Sequence, residues 1–291
     1  MKRIILPIIL CGCLSSLSAP ATEYVVARTP TPVLNVSDFK AVFGGVTGHD
    51  LKTDSCGQVR ELEFIALPGT VFTVLHKYRS GSAVIYQVTT DEYPAPANIK
   101  LYIDGRFITT GPAIPKQRRP LLPERNKVLS ALKAAAGSHY VWGGNILNGV
   151  PELAASYDTV IPDTGRERLT LAGLDCSGLL YHATEGWTPR NTSRLITFGQ
   201  GVAIAGKQPS EIAAMLQPLD LITWNGHVII VLDQHTAIES RLECGTPGNG
   251  GVVVTPLLDR ITAVMRTRRP VNAWPGDNKH HSVFVVRRWY P

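Results

Sequence analysis

The sequence predicts a small all-β domain followed, after a proline-rich connection, by a larger domain that mixes helices and strands. Three observations carry this. Short runs of branched and aromatic residues punctuated by Gly and Pro fill positions 62–110. Pro115, Pro120 and Pro123 then surround Lys116, Arg118 and Arg119. Beyond them, a helix-forming segment opens a stretch in which helical and strand patterns alternate.

The chain has 291 residues, 44% hydrophobic and 18% charged, with 26 Gly and 21 Pro. This excludes coiled coils, collagen-like repeats and bulk disorder. Residues 1–21 read as an export signal: a basic start at Lys2-Arg3, an apolar run from Ile4 to Leu17, and small residues through Ala21. Two exits fit. Ala19-Pro20-Ala21 suits cleavage to a soluble chain, whereas Leu10-Cys11-Gly12-Cys13 resembles a lipobox with Cys13 as the lipid-bearing residue. The expected location is thus the periplasm or cell envelope, with membrane attachment only through such an N-terminal lipid. No other run approaches the roughly 18 apolar residues of a span. Loss of the signal leaves 27 basic against 23 acidic residues, net +4, without the clustered basic face expected of a nucleic-acid binder.

In order, LEFIA (62–66), VFTVLHK (71–77), AVIYQVT (83–89), KLYID (100–104) and RFITT (106–110) read as strands of a small barrel or sandwich. Residues 22–61 are less patterned and leave room for further strands, so the β-domain is bounded at 22–110. Residues 111–123 form a stiff, exposed connection. From Glu124, Val128, Leu129, Leu132 and Ala136 fall at helical spacing and Gly137 is a natural stop, so the second domain, 124–291, opens with a helix.

The exported chain keeps Cys56, Cys176 and Cys244, an odd number in an oxidising compartment. Cys176 is the candidate nucleophile. It follows Asp175, a good N-cap, and so falls in the first turn of a helix, whose positive end favours the thiolate; the alternative is a packing cysteine. The candidate base is His227, at the head of the apolar strand His227-Val228-Ile229-Ile230-Val231-Leu232. Glu239 lies on the return strand of a hairpin turning at Asp233 to His235. A three-residue loop puts His227 and Glu239 on one face as diagonal neighbours; a two-residue turn puts them on opposite faces. Cys56 and Cys244 are free to be bridged, across the two domains.

These residues resemble the NlpC-type papain-like cysteine peptidases, which cut peptide stems of bacterial peptidoglycan. The resemblance rests on an ordered series over 124–291: Tyr140-Val141-Trp142-Gly143-Gly144, Asp175-Cys176-Ser177-Gly178, Arg190-Asn191-Thr192-Ser193-Arg194, Asp220-Leu221, Gly226-His227-Val228 and Glu239. It implies an α+β papain-like catalytic domain, preceded by a β-domain that looks like the bacterial SH3-like barrels accompanying the family. It further implies Cys176 as nucleophile, His227 as base and Glu239 as the residue orienting the histidine. Tyr140 is similar to a tyrosine lining the cleft, Asp175 and Ser177 to a pair receiving the free amine of an N-terminal L-alanine, and Ser193 to a further substrate position.

Three departures from the family stand out. Glu239 replaces the usual His, a change a carboxylate can support because it also orients and stabilises an imidazolium. Leu219 replaces the glycine before Asp220-Leu221. The 28-residue stretch Asn145 to Ala172 is longer than the family's gap, and a loop of that size is expected to border the cleft.

The implied activity is cleavage of the γ-D-glutamyl–diamino acid bond of stem peptides, with no metal or organic cofactor. His139, His182, His280 and His281 show no metal-ligand spacing. Trp142 and Trp224 suit either substrate contact or packing. Arg266, Arg268, Arg269, Arg287 and Arg288 are a solvated surface or an attraction for an anionic wall polymer. Alternatives are an inactive wall-binding module and a related papain-like acyltransferase or lipid hydrolase.

Overall fold

The computed structural model describes residues 22–44, 51–111, 115–157, 169–246, 249–277 and 282–291. The signal segment, Cys13, His280 and His281 lie outside them. The architecture is α+β.

The N-terminal half contains β1 (Tyr24–Ala27), β2 (Thr31–Leu34), α1 (Phe39–Gly44), β3 (Leu62–Ala66), β4 (Val71–Ser80), β5 (Ala83–Thr89) and β6 (Leu101–Asp104). A 3₁₀ turn at Gly105–Phe107 and β7 (Ile108–Thr110) complete it. The strands form one antiparallel sheet in the order β3-β2-β6-β5-β4-β1-β7. The patterned runs become strands because their branched and aromatic residues fill a shared interior of Val25, Val33, Phe64, Phe72, Val88 and Ile103. The two additional strands, β1 and β2, come from the less patterned N-terminal stretch and pair within the same sheet.

The C-terminal half contains α2 (Arg125–Ala134), β8 (Asn145–Ile146), α3 (Glu152–Ser156), β9 (Gly173–Leu174), α4 (Cys176–Ala183), α5 (Thr192–Leu195), β10 (Gln200–Val202) and α6 (Pro209–Met215). It continues through β11 (Leu221–Trp224), β12 (His227–Val231), β13 (Thr236–Leu242), β14 (Gly250–Pro256), α7 (Leu257–Met265), β15 (Arg269–Pro270) and β16 (Val283–Arg288). The central sheet runs β10-β16-β11-β12-β13-β14, with β15 parallel to β16. Apolar residues occur in near-continuous runs in β11 and β12 because both faces of the sheet are covered. On one face Val228, Ile230 and Ile238 pack with Leu179 and Leu180 of α4 and Val128 and Leu132 of α2. On the other, Ile222, Ile229, Val231 and Ala237 meet Ile212 of α6 and Leu257 and Ile261 of α7.

Two expectations change. The connection at 115–123 is not simply exposed. Leu121 is 86% exposed, but the Arg118 guanidinium donates to Glu92 Oε2 (2.7 Å), to Tyr181 Oη (3.1 Å) and to Glu185 O (3.1 Å), tying the β-half to α4 and the turn after it. The long stretch after Gly144 begins at the site, where Asn145 meets Arg190 and Leu147 packs with the core that holds Cys176, but much of its described remainder turns to the other half. Val150, Leu153 and Leu171 instead pack with Leu34, Phe39, Val42 and Phe43 in a core belonging to both halves. Tyr157 Oη donates to Asp104 Oδ2 (2.6 Å), and the Arg106 guanidinium lies over the Tyr157 ring at 4.4 Å. Val150, Leu153 and Leu171 are thus satisfied largely by the N-terminal half.

Further ties join the halves. Asn145, fully buried, donates through Nδ2 to Ile65 O (2.8 Å) and accepts from Ile65 N (2.9 Å). The Gln58 side chain accepts from Trp142 N (2.8 Å) and donates to Tyr140 O (3.4 Å). A disulfide connects Cys56 and Cys244 across 188 residues. Among the described residues no helix is long and apolar enough to cross a membrane.

Candidate active site

Helix α4 starts where local sequence places it. Asp175 is the N-cap, its Oδ1 accepting from Gly178 N at 2.6 Å, and Cys176 is the first helical residue. Gly178 lets the helix press against the Tyr140–Gly144 loop: a Cβ there would run into Gly144 O, and one at Gly144 would stand 2.6 Å from Gly173 O. Both glycines of the motifs are therefore demanded by close backbone approach.

Cys176 is buried and is the free cysteine among the described residues. Its thiol donates to Gly226 O at 3.8 Å, not to the His227 ring, and the Ser177 and Val228 amides face the sulfur. The residues on either side of His227 thus touch the sulfur through their backbones. Burial pushes the thiol up to about 12, and the adjacent Asp175 carboxylate pushes the same way. Arg190 and the two amides pull it down only in part.

His227 is the first residue of β12. The hairpin to β13 has Ile230 opposite Ile238 and Val231 opposite Ala237, so its loop is the three residues 233–235. Asp233 sets that loop, its Oδ1 accepting from His235 N (2.9 Å) and Thr236 N (2.8 Å). In this register His227 and Glu239 share a face, and His227 Nε2 lies 2.6 Å from Glu239 Oε2. The Trp224 ring is 5.1 Å from the imidazole. Thr192 of α5 holds the preceding turn, its Oγ1 accepting from Gly226 N at 3.0 Å.

Glu239 is fully buried. Two groups hydrogen-bond it: His227, and the Arg260 guanidinium of α7, whose Nε is 2.5 Å from Oε1 and Nη2 2.8 Å from Oε2. Arg241 Nη1 is 3.5 Å from Oε1. Burial alone would raise the carboxyl, but the hydrogen bonds from His227 and Arg260 prevail and hold it down at about 2.

A second buried ion pair underlies the cysteine. Arg190, 3% exposed, meets Asp175 bidentately at 2.6 and 3.0 Å, donates to Ser177 Oγ (3.0 Å) and to Asn145 Oδ1 (3.1 Å), and reaches Gly144 O (3.3 Å). Asp175 and Ser177 are therefore brought together, with the Ser177 hydroxyl also donating to Asp175 Oδ1 (3.2 Å), but Arg190 already engages both. A substrate ammonium at Asp175 competes with a buried guanidinium. Tyr140 is half-buried near them; burial first, then the charges of Asp175 and Cys176, raise its phenol far above the ordinary value. Ser193 is exposed on α5.

Arg190 and Arg260 are the functional residues that sequence reasoning missed. Arg190 stands inside a quoted motif without a role, and no local signal marks Arg260, because each acts on an acid far along the chain. Of the other aromatics, Trp142 is 39% exposed beneath the Arg60 guanidinium (4.3 Å), while Trp224 is buried under that of Arg268 (4.5 Å). The basic surface is smaller than its residue list: Arg288 is paired bidentately with Asp220 at 2.6 and 2.9 Å, and Arg287 donates to carbonyls of residues 197–199.

No family model matches the sequence, and no curated protein does. Among solved structures, the chain is similar to an NlpC/P60 family protein from Bacillus cereus ATCC 10987, with a TM-score of 0.34 and 16% identity. The match covers 93% of this chain and spans 64% of that one. The likeness is remote, and the functional reading rests on the residues of the site.

Proposed function

We propose that the protein is a cysteine endopeptidase that cleaves the γ-D-glutamyl–diamino acid bond of peptidoglycan stem peptides. The observation that carries this reading is the buried His227–Glu239 contact of 2.6 Å, formed at the hairpin whose backbone touches the Cys176 sulfur. Glu239 engages Nε2, which leaves Nδ1 as the ring nitrogen on offer to the thiol. His227 takes the thiol proton as the sulfur attacks the scissile carbonyl, then gives it to the leaving amine. Water hydrolyses the thioester with the same histidine as base. The backbone N–H of Cys176, at the helix start, faces developing negative charge on the carbonyl oxygen.

Tyr140, Asp175, Ser177 and Ser193 form the substrate side of this reading, by their likeness to the family motifs. The N-terminal β-half serves as an SH3-like wall-holding unit, and the chain acts in the periplasm or cell envelope after export. The Cys56–Cys244 disulfide supports an oxidising compartment. One observation favours a second reading, an inactive wall-binding module: the thiol is held up at about 12 and hydrogen-bonds a carbonyl.

The test incubates the chain from Thr22 and its Cys176→Ala variant with L-Ala-γ-D-Glu-diamino acid tripeptide, its N-acetylated form and intact sacculi, reading products by mass. Release of the diamino acid by the parent alone supports the peptidase. Binding to sacculi by both proteins without products supports the module. Unequal cleavage of the free and acetylated tripeptides reports on the amine requirement.

A further inference from the structure

We propose that Arg60, carried by the N-terminal half, reads a carboxylate of the stem peptide at the edge of the cleft. Its substrate is that of the peptidase reading, on which this role rests. A stem peptide brings carboxylates on both sides of the scissile amide, the α-carboxylate of the γ-linked glutamate and those of the diamino acid. The Arg60 guanidinium stacks on the Trp142 ring at 4.3 Å, and Trp142 follows Tyr140 by two residues in the loop that presses against the start of α4. That loop reaches the helix of the cysteine directly, Gly144 O accepting from Asp175 N at 2.9 Å. The Tyr140 phenol lies within reach of the charges of both Arg60 and Cys176. A cation from one half thus stands over the wall of a cleft whose candidate nucleophile belongs to the other.

The surroundings hold this cation in place and leave part of it open. Asp54 Oδ2 takes Arg60 Nε at 2.5 Å, while Oδ1 accepts from the amides of Cys56 and Gln58, both at 2.9 Å, so one acid fixes the turn and the guanidinium together. Gln58, buried, accepts from Trp142 N (2.8 Å) and donates to Tyr140 O (3.4 Å), which joins this turn to the loop under the guanidinium. The Cys56–Cys244 disulfide and the bond from Asn249 Nδ2 to Cys56 O (2.6 Å) pin the turn to the β13–β14 connection. Among the described residues, neither terminal nitrogen of Arg60 makes a hydrogen bond, and its side chain is 39% exposed. Stacking occupies the face of a guanidinium and not its edge. The edge with the two terminal nitrogens therefore offers parallel N–H donors, which a carboxylate fits bidentately. The other full charges near the Tyr140 ring, Asp175 and Arg190, pair with each other, which leaves Arg60 as a cation with open donors there.

The experiment compares kcat/KM for three tripeptides in the parent, Arg60→Gln and Arg60→Lys. The substrates are L-Ala-γ-D-Glu-diaminopimelate, its analogue amidated at the glutamate α-carboxylate, and its analogue amidated at the diaminopimelate carboxylates. The parent is expected to lose about tenfold or more on an amidated analogue. Arg60→Gln should lose a similar factor on the free acid and little further on that analogue, because the partner of the missing cation is already gone; this identifies the carboxylate that is read. Arg60→Lys, which keeps the charge without the fork, should fall between. Equal turnover of all three tripeptides by the parent overturns the proposal. So does an equal loss on all three in Arg60→Gln, the mark of a residue that only holds the halves together.

If Arg60→Gln does not fold, Arg60→Lys decides: discrimination narrowed by about threefold or more supports the role, and unchanged discrimination overturns it. A parent that cleaves none of the tripeptides sinks the peptidase reading instead. Calorimetric binding of the same three peptides to the parent and Arg60→Gln then decides. Weaker binding of an amidated analogue by the parent alone supports a carboxylate site at Arg60, and binding that is equal across the peptides, or absent, overturns it.

Discussion

Cys176 and Glu239 carry opposite consequences of the same burial. Burial pushes the thiol up, and the Asp175 carboxylate adds to it, with Arg190 opposing only in part. The Glu239 carboxyl loses its proton, because His227 and Arg260 both donate to it. The second fact is also a statement about stability. The Glu239 carboxyl ordinarily titrates at 4.5 and is held at about 2 in the folded chain. A depressed folded value contributes stability that is fully present above the unfolded value and is lost as pH falls toward the folded one. About 3 kcal/mol of unfolding free energy is therefore expected to disappear between pH 4.5 and 2, beyond other acid effects. Urea unfolding at a series of pH values checks this: Glu239→Gln should lack that portion of the acid dependence, and parallel curves for the two proteins would contradict it. Leu219 shows another residue-scale compromise. It adopts φ +74°, which favours glycine, yet its side chain is buried and its carbonyl accepts from Trp289 Nε1 at 2.7 Å. The packing of a leucine here outweighs the backbone strain, which is why the glycine of the related motif can be absent.

Among the elements, α4 and the β12–β13 hairpin fix the site between them. The helix is placed by its Asp175 cap and by the glycine contact with the Gly144 loop; the hairpin register is set by Asp233. A one-residue slip there would move Glu239 to the opposite face and leave His227 without its acid. Much of the described stretch from Asn145 to Ala172 packs on the other half. Val150, Leu153 and Leu171 fill the core beneath α1 and β2, so truncating Leu153 to Ala is expected to cost 2–5 kcal/mol in denaturant unfolding, roughly the cost of a buried leucine. Below the new transition, the pattern of stem products should be unchanged. A changed product pattern at unchanged stability would return this stretch to the cleft.

At the scale of the molecule, the halves are not beads on a linker. They share an apolar core, the Asn145–Ile65 pairing, the Arg118 clamp and the Cys56–Cys244 bridge. The bridge closes a loop of 188 residues in separation, and in the chain-entropy picture such a crosslink removes about 5 kcal/mol of unfolded-state freedom. In the chain from Thr22, Cys56→Ser with Cys244→Ser should therefore lower the thermal midpoint markedly while leaving the thiol count at one, that of Cys176, by thiol titration. An unchanged midpoint would show that the non-covalent junction alone holds the halves together.

The sequence by itself determined the elements with strong local signals. LEFIA and AVIYQVT are strands within the bounds their turns mark, Asp175 caps a helix beginning at Cys176, and the ordered motifs name a cysteine, a histidine and an acid. It also left the decisive alternative explicit, since the face of Glu239 hung on a loop of two or three residues. What only the tertiary structure decided are the partners of charges and apolar faces far apart in the chain: Arg190 under Asp175, Arg260 on Glu239, and Val150, Leu153 and Leu171 packed on the neighbouring half. The reason is physical. Caps, turns and alternation act within a few residues and leave a local pattern, whereas a buried guanidinium or a shared core is selected by whatever the fold brings within a few ångströms. The upward push on the Cys176 thiol belongs to the second kind, because it comes from the burial and the charges around the sulfur and not from its place in a helix.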